Sequence, residues 1–181
     1  MKRWAQWTIG VGLVVAAWFV AAATPPEESR EAPFVVAVGV GERGEGRNIA
    51  VLVEDVARAA SVEADGWSAE GNWLVADLEV SSVEKEFGVL LSRATFEIDG
   101  ITYGASERPS SLLRTSLFAG VPQSGSLAFE LPADLVSGDG VLRFGVDTDE
   151  RLDSVIEVAV DLDGIPVEDT AELRPTEWSG R

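Results

Sequence analysis

The stretch "RATFEIDGITYGAS", residues 93–106, decides the fold class. Ala94, Phe96 and Ile98 alternate with polar residues, Asp99-Gly100 interrupts, and Ile101 and Tyr103 resume the apolar side. A period of two turns one face of an extended chain toward a core and the other toward water. Asp-Gly between two such runs tolerates the positive φ that both central residues of a type I′ hairpin need. A hairpin with one apolar face cannot stand alone, so a second layer must cover it.

The alternation recurs on both sides. "NIAVLVEDV" (48–56) sets Ile49, Val51 and Val53 on one face, and "NWLVADLEV" (72–80) sets Leu74, Ala76, Leu78 and Val80 opposite Asp77 and Glu79. "GSLAFELP" (125–132), "GVLRFGV" (140–146) and "SVIEVAVDL" (154–162) continue the series, each next to Gly, Asp or Ser turn signals. No stretch of the body carries a helical period longer than two turns. The expectation is an all-β, immunoglobulin-like antiparallel β-sandwich of about seven or eight strands, preceded by one N-terminal hydrophobic helix. Residues 54–64, "EDVARAASVEA", mix helix-favouring residues into the pattern and read as a strand end plus loop.

Around that body the chain divides simply. Residues 1–26 read as a signal-anchor or signal peptide, 27–33 as a polar tether, 34–163 as the sandwich and 164–181 as a polar C-terminal tail. Lys2 and Arg3 precede an uncharged run from Trp4 to Pro26, and Glu27 and Glu28 follow it, which orients the N-terminus inward and the body outward. Read as an anchor, the run is long enough for a single-pass span, with Trp4 and Trp7 at the inner interface. Read as a signal peptide, it ends at the small-residue motif Ala21-Ala22-Ala23 and leaves a secreted domain. Both readings put the folded part outside the cytoplasm.

Four elements together resemble a known family. Gly71, Trp73, Val75 and Asp77 in "GNWLVADLEVSS", Phe96, Ile98, Asp99, Gly100 and Tyr103 in "ATFEIDGITY", and Gly120, Gly125, Leu127, Phe129, Leu131 and Pro132 in "LFAGVPQSGSLAFELP" follow "VGVGERGEGRNIAVLVEDV" in order. This arrangement, over roughly residues 38–147, is similar to the telokin-like, DUF4352 family of exported bacterial immunoglobulin-like domains. Ser81 or Ser82 stands where that family commonly has Asn, and Ala119 where a proline often precedes the glycine. The resemblance implies an extracytoplasmic sandwich and carries no catalytic residues to transfer.

Composition narrows the chemistry. The chain has 181 residues, no cysteine, no histidine and a net charge of −17. Cys and His metal sites, thiol nucleophiles and Ser-His triads are therefore absent, and a chain so acidic repels phosphate backbones, so nucleic acid is not expected as a partner. No cofactor is expected. "GVGERG" spells G-x-G-x-x-G at Gly39, Gly41 and Gly44, but "RNIAVLV" continues it as a strand where a dinucleotide site needs a helix. Paired carboxylates could serve a cell-envelope hydrolase, and Ser110, Ser111 or Ser124 with Lys85 a Ser-Lys pair; in so acidic a chain the first arises by chance, and Lys85 sits in a solvated "VEKEF".

Three further groups stand out. Asp147, Asp149 and Asp153, with Asp161 and Asp163, offer the oxygen ligands calcium needs, though the spacing fits no EF-hand and a solvated acidic turn explains them as well. Trp67 and Trp73 offer an aromatic patch or, more simply, packing. "SERPSSLLRTSLF" sets Arg108 and Arg114 beside Leu112, Leu113, Leu117 and Phe118, a basic and apolar exception on an acidic chain. It is the candidate interaction loop, with cover for a sandwich edge as the alternative. The expected function is a non-enzymatic extracytoplasmic binding or accessory domain at the outer face of a bacterial membrane, with the membrane and an envelope protein as partners; a hydrolase or a calcium-stabilised structural domain is the alternative.

Overall fold

A computed structural model of the chain describes residues 3–23, 33–83, 89–146 and 153–179. The chain forms two compact units, residues 1–32 and 33–181. The first contains helix α1, Arg3–Ala23. Its described side chains, Trp4, Trp7 and those of residues 10–19, are all exposed, Trp18 and Phe19 meeting edge to face. The single-pass span expected from the sequence is not met: among the described residues no helix is long and apolar enough to cross a membrane. Gln6 and Thr8 interrupt the first turns, and the uninterrupted run Ile9–Ala23 rises about 22 Å, short of a hydrocarbon core of about 30 Å.

The second unit is a sandwich. Its first seven strands are β1 (Phe34–Val38), β2 (Arg43–Glu45), β3 (Ile49–Ala64), β4 (Trp67–Ser82), β5 (Val89–Leu90), β6 (Arg93–Ile98) and β7 (Ile101–Gly104). There follow β8 (Ser116–Leu117), β9 (Gln123–Leu131), β10 (Asp139–Gly145), β11 (Ser154–Asp161), β12 (Val167–Glu168), β13 (Ala171–Glu172) and β14 (Glu177–Trp178). One sheet runs β1-β11-β10-β6-β7 and the other β12-β3-β4-β9-β14, with β2 and β13 also on β3. The order β11-β10-β6-β7 facing β4-β9 reproduces the G-F-C-C′ sheet and B-E pair of a variable-type immunoglobulin sandwich. The interior ladders are antiparallel, while β1 joins β11, and β12 and β13 join β3, in parallel.

The alternation read from the sequence makes the core. Ile49, Val51, Val53, Leu74, Leu78, Phe96, Leu127, Phe129, Leu142, Phe144 and Ile156 are buried between the sheets. Asp99 and Gly100 take φ of 52° and 73°, as the expected type I′ hairpin requires. Residues 54–64 are a correction: they are not strand end and loop but the second half of β3, which pairs with β4 from Ile49↔Ser82 to Ala64↔Trp67. The turn is again Asp-Gly, with Asp65 at φ 45° and Gly66 at 81°. Register shifts between Val53 and Asp55 and between Ala59 and Ser61 bend this long ribbon.

The C-terminal segment is also part of the sandwich rather than a tail beside it. Val167 and Ala171 pair with Arg58 and Val62 of β3, and Glu177 and Trp178 pair with Ser124 and Gln123 of β9. Leu173 N donates to Glu63 O (2.8 Å), and the next residue's N, that of Arg174, donates to Ser126 Oγ (2.8 Å). One residue thus joins the far end of β3 to β9, which demands that the β3–β4 ribbon curl. Ala171 and Leu173 fill the curl with Ala59, Val62, Trp73, Val75 and Ala128, a second core on the outer side of the sheet. Arg174 latches it by Nη1 to Glu54 Oε2 (2.7 Å) and Nε to Asp77 Oδ2 (2.9 Å).

Candidate interaction surface

The loop after β7 crosses between sheets: Ala105 N donates to Ala94 O (2.9 Å) and Ser106 N to Ala128 O (2.7 Å). It then folds over one end of the sandwich. Leu112 and Leu117 are fully buried, Leu113 packs partly buried against the core, and β8 pairs with β5 as a two-stranded lid. Leu112 is seated by Gly125, where a Cβ would stand 3.0 Å from its Cγ. Leu112 and Leu117 are therefore corrected from candidate contact residues to core residues: the open end of the sandwich has to be covered, and these side chains cover it. Arg108 and Arg114 are exposed and pair with Glu130 (2.8 Å) and Glu107 (2.7 Å), bridges in open solvent that contribute little.

Phe118 stays outside, 38% exposed, and does not stand alone. Trp178 from the C-terminal segment lies against it with ring centroids 5.7 Å apart, and Val121 is 44% exposed beside the bridge Phe118↔Val121. Trp178 is itself 59% exposed although its backbone is fixed by the β14–β9 pairing and by Ser179 N donating to Pro122 O (2.9 Å). The sequence pointed to Phe118 but not to Trp178 as its neighbour, because 60 residues of chain separate the two.

The other candidates take structural places. Trp73 is fully buried in the outer core with Trp67 set edge to face at 6.1 Å, so packing accounts for the pair. Trp67 also walls an open cleft of about 410 Å³ with Glu63, Asp65 and Glu172. Two pairs of carboxylates each share an arginine: Glu97 and Glu157 on Arg143, Glu54 and Asp77 on Arg174. Arg174 carries a raised pKa, chiefly through its hydrogen bond to Glu54, opposed by burial and helped by the charges of Asp77, Glu54 and Asp55. Ser110 and Ser111 line a shallow cleft of about 260 Å³ with Arg114; Lys85 lies outside the described residues.

Asp147 and Asp149 also lie outside the described residues. Asp153 accepts from Asn48 Nδ2 (2.6 Å) and from Ser154 N (2.8 Å), Asp161 accepts from Asp163 N (2.9 Å), and Asp163 accepts from Gly138 N (3.1 Å). Among the described residues no group of three or more acids could hold a metal ion. The G-x-G-x-x-G stretch is the turn after β1 running into β2, where Gly44 pairs with Val51, and Gly39 N donates to Glu42 Oε2 (3.0 Å).

No protein-family model matches the chain, and no curated protein does. The yjhA protein from Bacillus subtilis is similar in structure at 12% identity and a TM-score of 0.47, over 66% of this chain and 98% of that one. An uncharacterized β-sandwich protein from Clostridium difficile 630 is similar at 11% identity and a TM-score of 0.44, over 74% of this chain and 99% of that one. The resemblance to the DUF4352 family accordingly rests on the motifs quoted above. By its own strand pairing, the chain is an all-β, immunoglobulin-like sandwich with an N-terminal helix.

Proposed function

We propose that the chain is a non-enzymatic binding or accessory domain of the bacterial cell envelope, held at the outer face of the membrane by its N-terminal segment and acting by contact. One observation carries the reading: Phe118, Val121 and Trp178 form an apolar patch that stays exposed although each backbone is pinned by pairing. Apolar side chains held rigidly in water favour a partner that removes them from it. The N-terminal charge pattern and the motif resemblance support the compartment. A photo-crosslinking residue at Val121 in intact envelopes is expected to yield adducts heavier than the chain, and the same residue at Asp65, on the β3–β4 turn, none. Equal labelling at the two positions, or none at Val121, would remove the reading.

A further inference from the structure

We propose that the segment from Pro166 to Ser179 is an exchangeable strap: in a pair of copies each sandwich takes the other's strap into the groove where its own lies, giving a closed two-fold dimer. The inference concerns the outer face of the β3-β4-β9 sheet and does not depend on the reading of the Phe118 patch.

The strap is thinly held. The sandwich before it ends at Leu162, which is fully buried and whose N donates to Gly138 O (3.0 Å). Pro166, which has no N–H to give a ladder, then hands the chain to the strap. From Pro166 to Trp178 every side chain is exposed except Ala171 and Leu173. Backbone pairing comes in short pieces: Val167 and Glu168 on Arg58 and Ala59, Ala171 and Glu172 on Val62 and Glu63, Glu177 and Trp178 on Ser124 and Gln123. Between the first two pieces Ser61 Oγ meets Thr170 Oγ1 at 2.7 Å. A segment with few buried apolar side chains and solvent-exposed hydrogen bonds opens at a free energy below that of the whole fold.

What the strap leaves behind identifies its replacement. Opening strips the pairing from Arg58, Ala59, Val62 and Glu63 on one side of β3 and uncovers the apolar cluster around Trp73. An unpaired edge beside an apolar face takes up an extended segment. This edge asks for a small side chain, a leucine two residues on, and then an arginine shared by Glu54 Oε2 (2.7 Å) and Asp77 Oδ2 (2.9 Å). Ala171-Glu172-Leu173-Arg174 meets all three demands, and a second copy carries it. The exchanged pair repeats every bond of the closed monomer except at the hinge, and each copy gives one strap and receives one, so the assembly closes. Tethering favours a copy's own strap by an effective concentration on the order of 1 mM. Two chains of net charge −17 also repel each other, and salt screens that repulsion. Exchange therefore belongs to high protein concentration and high salt.

The absence of cysteine makes the test direct. Full chains carrying Ser61→Cys are mixed with full chains carrying Thr170→Cys, held at about 1 mM in high salt and mildly oxidised, and the linked peptides are identified by mass. The expected result is a bond from position 61 of one chain to position 170 of the other, several-fold more abundant than both like-with-like bonds together, and lost on about hundredfold dilution before oxidation. Chance collisions give the mixed bond and the two like bonds in equal total amounts; that result, or no bond between chains, overturns the inference. The unsubstituted chain supplies a readout independent of the cysteine variants. At the same concentration and salt it should sediment as a dimer, and Arg174→Gln, which loosens the strap equally in both states, should reach the same dimer share sooner. A chain that stays monomeric, or a dimer that forms no faster without Arg174, also overturns the inference.

Discussion

Gly140 faces Ile98 across the β6–β10 ladder, and a Cβ there would fall 2.3 Å from Phe96 Cζ and 3.0 Å from Glu97 O. Phe96 is fully buried, so the ring has nowhere to turn. Gly140→Ala is expected to lower stability by about 1–3 kcal/mol, read as a lower urea midpoint with an unchanged slope. An unchanged midpoint would show that Phe96 repacks freely. Arg174→Gln removes both ends of the latch, but its side chain is 49% exposed, so the loss should be no more than about 1 kcal/mol and should shrink in high salt. Because the folded pKa of Arg174 is raised, its contribution is full below the unfolded value and is lost only as pH rises through the folded one, in strong alkali. Removing Arg174 should therefore change stability equally at pH 6 and pH 9. At this scale the core faces of β4, β6, β9 and the first half of β3 were legible from alternation alone, whereas Ile101, read as apolar-facing but 55% exposed on β7, and Leu112 and Leu117 were not: a leucine in a polar loop looks the same whether it covers an end or faces a partner.

Among the elements, the C-terminal segment is the most exposed to test. Leu173 is 4% exposed and packs in the outer core, so Leu173→Ala should cost about 2–3 kcal/mol. Ending the chain at Gly164 should uncover the Trp73 cluster, raising binding of a hydrophobic dye while circular dichroism keeps its β signature. A truncated chain as stable and as silent toward the dye as the whole would mean that the segment does not close the curl. The turn that makes β3 and β4 one ribbon was present in the sequence as Asp65-Gly66. It was hidden by the Ala-rich, helix-favouring composition before it, which ladder pairing along the length of β3 overrode.

For the whole molecule, the 33–181 unit holds both cores and the chain has no cross-link to lose. Urea unfolding of residues 33–181 should match that of the full chain in midpoint and slope, and reductant should shift neither. A lower midpoint for the shorter chain would show that residues 1–32 contribute to the fold.

Period-two alternation, Asp-Gly turns, a basic start before an apolar run and the lack of Cys and His are local or compositional properties, and they determined the β-sandwich, the N-terminal helix and the narrow chemical inventory. The continuation of β3, the docking of residues 167–178, the burial of Leu112 and Leu117 and the meeting of Phe118 with Trp178 were decided only by tertiary structure. Each depends on a partner distant in the chain, and the energy that selects it, burial of apolar area and pairing of backbone groups, exists only once the sheets have formed.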